Sequence, residues 1–291
     1  MPGRFLLIGG DSEIATATAA HLRREGAAVL PTTRRRELAG PDRPFLDLTQ
    51  PLDAWRPPPG ATAACIFAAI ARIPDCARDP AGSAFVNVTQ TLALAERLVS
   101  DGVPVLFLST DKVFDGEQPL VAAEAPLSPK SEYGRQKAAA ETALREMMAA
   151  GAPVGILRFA KIVSPGMSLL RDWKAALVAG APVRAFADLV AAPTPVAMAA
   201  AAVAALLAQR KTGIWQLSGA RDVTYAEIAL RLAGRLGADP GLVQPRSAYE
   251  AGMPTGSTPK HTTLDSSALC GLLGARVPDA WDVIDAVIES L

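Results

Sequence analysis

The sequence predicts an α/β fold: a doubly wound parallel sheet with helices on both faces, followed by a smaller, mixed C-terminal region. Three observations predict it. Apolar runs alternate with helical patterns through residues 1–160. The chain opens on one such run, Phe5 to Ile8, and turns through Gly9-Gly10 into an alanine-rich helical pattern. Half of the 291 residues are hydrophobic, enough to cover a sheet on both sides. Strand–helix alternation implies parallel strands joined by crossovers. Sheets of this Rossmann type bind ligands beyond the carboxyl ends of their strands.

Each element has its own signal. Residues 5–8 form the first strand and 16–25 the first helix, with Ala17, Ala20 and Leu22 as apolar positions. Strands are expected at 27–31, 45–48 and 64–69. A long helix at 83–99 carries Phe85, Val88, Leu92 and Leu98. A strand at 103–109, a helix at 131–149 and a strand at 154–159 complete the alternation. Beyond this, helices are expected at 168–179, 196–208 and 224–236, a strand at 213–217 and a last helix at 279–290. Thr224 followed by Glu227 has the spacing of a capping box. Residues 1–160 are expected to bind a dinucleotide and 161–291 to form a substrate-binding region, with 190–222 packing back onto the first part.

Bulk properties narrow the function. Lys+Arg and Asp+Glu both number 29, so no net charge favours nucleic acid or an anionic membrane. The three cysteines are scattered and show neither metal-ligand nor disulfide spacing, as expected of a cytoplasmic protein with no metal site. No export signal is expected, because the sequence enters its first strand at once. The alanine-rich stretch near residue 200 follows Pro193 and Pro195 and reads as a buried helix rather than a membrane span.

The first turn, "GGDSEIA", falls where dinucleotide-binding proteins carry three glycines. Here the spacing gives Gly9, Ser12 and Ala15. Gly9 keeps the tight turn, the Ser12 hydroxyl can reach a phosphate, and Ala15 is a mild replacement at the packing position. Gly9, Ser12, Glu13 and Ile14 are thus the loop positions expected to meet the cofactor. The Asp11 and Glu13 carboxylates must then point to solvent, since they would repel a pyrophosphate. After the second strand the sequence reads "TTRRR". An acid usually holds the ribose 2′-OH of NAD there; Thr33, Arg34 and Arg35 instead suit the 2′-phosphate of NADP. NADP is therefore expected rather than NAD.

"SEYGRQK" places Tyr133 and Lys137 four residues apart, on one helical face. An ammonium beside a phenol stabilises phenolate and lowers its pKa from about 10, which suits proton transfer to a substrate oxygen.

The segment from Val105 to Glu141, "VLFLSTDKVFDGEQPLVAAEAPLSPKSEYGRQKAAAE", resembles the extended short-chain dehydrogenase/reductase superfamily. Within it, the segment resembles the dTDP-4-dehydrorhamnose reductase-like branch. Ser109-Thr110-Asp111 at a strand end, Val113-Phe114-Asp115-Gly116 and Tyr133-Gly134-x-x-Lys137 carry the resemblance. It implies an NADPH-dependent reduction of the C4 keto group of a nucleotide-linked deoxysugar, in a protein that is often a homodimer. It implies that Tyr133 protonates the developing alkoxide, that Lys137 holds the nicotinamide ribose, that Thr110 hydrogen-bonds the carbonyl oxygen and that Asp111 lies near the sugar. Asp47 and Leu48 would contact adenine, and Ala68 and Ala69 the nicotinamide ribose. The chain departs from the branch at Lys112 and at Ala160-Lys161, where aromatic residues are usual. An NAD-dependent epimerase and a non-catalytic NADP-binding subunit are alternatives on the same fold.

Overall fold

A computed structural model describes residues 3–254 and 256–291. β1 (Arg4–Ile8) leads to α1 (Glu13–Arg24) and β2 (Ala28–Pro31). After β3 (Ala63–Ile66), α2 (Ile73–Arg78) and α3 (Pro80–Ala84), a π-helical segment (Phe85–Gln90) continues into α4 (Thr91–Ser100) and β4 (Val105–Thr110). α5 (Glu132–Ala149) crosses to β5 (Val154–Phe159). Next come β6 (Ile162–Val163), α6 (Ser168–Val178), β7 (Val183–Phe186), β8 (Val190–Ala191), β9 (Thr194–Pro195) and α7 (Val196–Ala208). β10 (Gly213–Leu217), β11 (Val223–Thr224), α8 (Tyr225–Leu236), β12 (Val243–Arg246), α9 (Ser267–Leu273) and α10 (Ala280–Glu289) complete the described chain.

Six strands form one sheet in the order β2-β1-β3-β4-β5-β10, and every pairing in it is parallel. The expected parallel sheet is therefore present. Its strands alternate sides as the pleat requires. Phe5 and Leu7 pack with Leu22 of α1, Val203 and Leu207 of α7 and Leu269 of α9. Leu6 and Ile8 pack on the other face with Leu94 and Leu98 of α4 and Leu144 of α5. Thus α7 and β10, from the 190–222 stretch, sit against the first half of the chain. No helix among the described residues is long and apolar enough to cross a membrane.

A separate core joins α6, α8 and α10. Leu170, Trp173, Leu232, Ile284 and Val287 fill it, with Val183 of β7. α8 carries the expected capping box: the Glu227 N–H donates to Thr224 Oγ1 at 3.1 Å and the Thr224 N–H to Glu227 Oε2 at 2.6 Å. Gly237 closes the helix in the left-handed conformation, φ 64°.

Two elements differ from expectation. Residues 45–48 make only an isolated parallel bridge, Thr33 to Phe45. Pro44 brings no N–H to this edge, and Asp47 turns the chain away by accepting the Thr49 N–H at 3.0 Å. The helix expected at 83–99 contains the π-helical segment, which ends where Thr91 Oγ1 donates to the Val86 carbonyl at 2.9 Å. That extra residue per turn displaces the face bearing Asn87.

Candidate functional site

The site is built at the carboxyl ends of β1, β3 and β4. The strand order reverses between β1 and β3, the position where doubly wound sheets open a crevice. Gly9 lies there with φ +82°, and a Cβ on it would stand 2.7 Å from the Ala68 nitrogen. Glycine is required by that close approach as well as by its backbone angle. The Ala68 N–H donates to the Ile8 carbonyl at 3.0 Å, so the turn and the end of β3 are tied together.

Ser12 caps α1, accepting the Ala15 N–H at 3.3 Å. Its hydroxyl is therefore already an acceptor, while its proton is available to a ligand. The N–H groups of Glu13 and Ile14 have no acceptor among the described residues. Free N–H groups at a helix start, with the positive end of the dipole, form an anion site. The residues present thus fit a dinucleotide pyrophosphate despite the two missing glycines.

The expected positions beyond β2 fall into two groups. Thr33 and Arg35 gather around the loop, but Asp11 does not point to free solvent as expected. Its carboxylate accepts Thr33 Oγ1 at 2.7 Å, Arg35 Nη2 at 3.2 Å and Arg43 Nη2. Burial works to raise the Asp11 pKa, but these three hydrogen bonds outweigh it and hold the acid below its ordinary value. Arg34 is exposed and makes no hydrogen bond among the described residues, while Arg36 stacks over the Phe45 ring at 4.2 Å. Leu48 is buried in the core cluster under α4, and Asp47 uses its carboxylate on Thr49.

Thr110, Asp111, Tyr133 and Lys137 converge at the end of β4. Thr110 Oγ1 donates to Asp111 Oδ1 at 2.9 Å and accepts the Lys112 N–H at 3.2 Å. Lys112 Nζ donates to Asp111 Oδ2 at 2.7 Å. Ser131 caps α5 through the Gly134 N–H at 3.1 Å, which starts the helix one residue before Tyr133. Gly134 lets α5 lie directly on the 111–113 turn, since a Cβ there would stand 2.1 Å from the Lys112 carbonyl oxygen.

Lys137 is buried. Its Nζ donates to the Leu108 carbonyl at 2.7 Å and lies 4.2 Å from the Phe107 ring centroid. Burial pulls its pKa down to about 8, with Glu141 opposing. Tyr133 departs from the expectation of a lowered phenol. Burial pushes its pKa up, Asp111 and Cys76 add to the rise, and hydrogen bonding with Thr110 opposes it. The ammonium is held by the Leu108 carbonyl and the Phe107 face rather than by the phenol, so desolvation dominates at Tyr133.

Buried Asn87 and Gln136 are parts of the site that spacing alone did not reveal. Asn87 Nδ2 donates to the Ile70 carbonyl at 2.9 Å and to Gln136 Oε1 at 2.8 Å, and Asn87 Oδ1 accepts the Ile70 N–H at 2.8 Å. Together they fix the segment after Ala69 to α5. The polar Asn87 within an apolar helix face was the available signal. The two departing lysines lie on the same side of the site: Lys161 is near both Lys112 and Glu13, and its pKa falls through crowding by protein and through the Lys112 charge.

A glycine turn at the switch point of a parallel sheet, with Thr110, Tyr133 and Lys137 gathered at the end of β4, is laid out as in the extended short-chain dehydrogenase/reductase fold. The chain belongs to the RmlD substrate binding domain family, whose profile spans residues 3–291. It is 28% identical over 251 residues to a dTDP-4-keto-6-deoxy-D-glucose reductase from Streptomyces niveus, covering 84% of this chain and 83% of that one. Its fold matches a dTDP-4-dehydrorhamnose reductase from Bacillus anthracis in complex with NADP: TM-score 0.80, 18% identity, 100% of this chain and 99% of the other. It also matches a Thermus thermophilus UDP-glucose 4-epimerase complexed with NAD: TM-score 0.80, 24% identity, 99% and 98% of the two chains.

Proposed function

We propose that this chain is an NADP-dependent reductase that converts the 4-keto group of a nucleotide-linked deoxysugar into an alcohol. The observation that carries this reading is the convergence of Thr110, Tyr133 and buried Lys137 beside the switch-point turn. The activity named for the Streptomyces niveus relative supports the substrate class. The cations beyond β2 and the NADP in the Bacillus anthracis structure support the cofactor.

NADPH, when bound, supplies the hydride. The Glu13 and Ile14 N–H groups at the start of α1 would take its pyrophosphate. Lys137 spends one of its three N–H donors on Leu108 and keeps two for ribose hydroxyls. Tyr133, held protonated at neutral pH by its raised pKa, gives its proton to the substrate oxygen that becomes the alkoxide. In the free protein the single hydroxyl proton of Thr110 goes to Asp111; with substrate bound, that proton would turn from the carboxylate to the same oxygen. The separate α6–α8–α10 core, within residues 161–291, would border the sugar.

The test is NADPH consumption with a dTDP-4-keto-6-deoxysugar, with the Tyr133→Phe variant alongside. Turnover that disappears in the variant supports the reading. An unaffected variant, or no turnover with any 4-keto nucleotide sugar, overturns it. NAD retained through purification would favour the epimerase reading instead.

A further inference from the structure

The cluster around Asp11 is unusual for a phosphate loop. Asp11 lies in the β1–α1 turn, yet its carboxylate reaches across to the segment after β2. It accepts Thr33 Oγ1 at 2.7 Å and Arg35 Nη2 at 3.2 Å. It also takes Arg43 Nη2, from 32 residues further along the chain. Thr33 is held in turn: its Oγ1 accepts the Arg35 N–H at 3.1 Å, and its backbone pairs with Pro44 and Leu46. Arg43 Nε has no partner among the described residues. The end of β2 is where a doubly wound sheet reads the ribose 2′ position. One hydroxyl and two guanidinium groups therefore converge there on a single carboxylate, in the number and kind that would suit a 2′-phosphate.

From this geometry we infer that Asp11 is an internal stand-in for the 2′-phosphate and sets cofactor choice: it occupies the Thr33, Arg35 and Arg43 donors in the free protein, and NADPH must displace it whereas NADH need not. The inference rests on the proposed dinucleotide site. Charge gives it direction. Two guanidinium groups and one carboxylate leave a single positive charge, against a phosphomonoester approaching two negative charges. A bound 2′-phosphate would also meet Asp11 as a like charge at short range. A ribose 2′-OH meets no such conflict and can itself donate to the carboxylate. The arginines thus favour NADP, and Asp11 narrows that preference enough for NADH to serve as well.

The experiment is calorimetric titration of NADPH and NADH into the wild type, Asp11→Asn and Arg43→Ala, with thermal melts to establish that each variant is folded. Asp11→Asn keeps the size and a hydrogen-bonding oxygen but removes the charge. The affinity ratio of NADPH to NADH is expected to rise in Asp11→Asn by at least about fivefold, the effect of a like-charge contact in bulk water, and toward about a thousandfold, its effect near a protein surface, and to fall in Arg43→Ala. A ratio that stays the same or falls in Asp11→Asn, while the wild type binds NADPH, overturns the inference and leaves the cofactor reading standing. Asp11 would then serve only to hold the arginines in place. Binding of neither nucleotide to any of the three proteins overturns both.

Discussion

Tyr133 and Lys137 show how far a spacing reaches and where it stops. Four residues on a helix put both side chains on one face, and that much was legible in "SEYGRQK". What each ionisable group does depends on residues far away in sequence: Leu108 and Phe107 engage the ammonium, while Asp111 faces the phenol. Tyr133→Phe is expected to lower kcat by about 100- to 10,000-fold, the usual range for one positioned acid, with KM for NADPH little changed; steady-state kinetics check both. The lowered Lys137 pKa sets a pH dependence. Its ammonium is charged below about 8 and loses its proton as pH rises through that value. Reduction rates should therefore hold on the acid side and fall above about 8. In Lys137→Arg, whose guanidinium stays charged, the alkaline fall should vanish from the pH–rate profile even if the rate is low. Asp11 is the complementary lesson. Its own loop suggested a carboxylate turned to water, because the position of Arg43 depends on how the 33–46 connection folds back.

At the scale of elements, α5 is the frame of the site. Its glycine abuts the Lys112 carbonyl, so Gly134→Ala must push the helix off the 111–113 turn, which carries the proposed site. A loss of at least tenfold in kcat/KM is expected, since small misplacements of reacting groups are costly, together with a lower melting temperature. The same helix carries Glu141, fully buried with Arg158 of β5. Arg158 Nη2 donates to Glu141 Oε2 at 2.6 Å, and Arg158 Nη1 reaches Gln216 of β10 at 2.9 Å and the Ala123 carbonyl at 2.8 Å. Glu141→Ala would strand that guanidinium and should destabilise the fold by about 3–5 kcal/mol, as when one partner of a buried pair is removed; denaturant unfolding measures it. The strands β1 to β5 and the helices α1, α4 and α5 were readable because each carries its own periodicity, whereas α2 and α3 are too short to show one and the strand expected at 45–48 is only a bridge. The short strands β6 to β9, β11 and β12 were not, because two- to four-residue strands have no period to read and exist only through their partners.

Across the whole molecule, cofactor and fold are linked. Anything that binds the native chain alone stabilises it by mass action. NADPH at a hundredfold excess over its Kd should add about 2.7 kcal/mol and raise Tm by on the order of 5 °C for a chain of this size; differential scanning fluorimetry would show it. The parallel architecture was legible from alternation over 160 residues. The sheet closes with β10 only after α6, α7 and the four short strands β6 to β9. The third core was less legible, since α6, α8 and α10 meet only after long connections.

The place of β10 in chain order has a consequence for synthesis. A ribosome adding about 5–20 residues per second finishes β5 seconds before it reaches Gly213. During that interval β5 is a bare edge, with unpaired backbone groups and Arg158 lacking its Gln216 partner. The nascent chain passes through a stage in which a nearly complete sheet offers a strand-shaped vacancy to any other growing chain nearby. Slower translation between codons 160 and 213 should therefore lower the yield of folded protein without changing its unfolding free energy, which expression of synonymous-codon variants would measure.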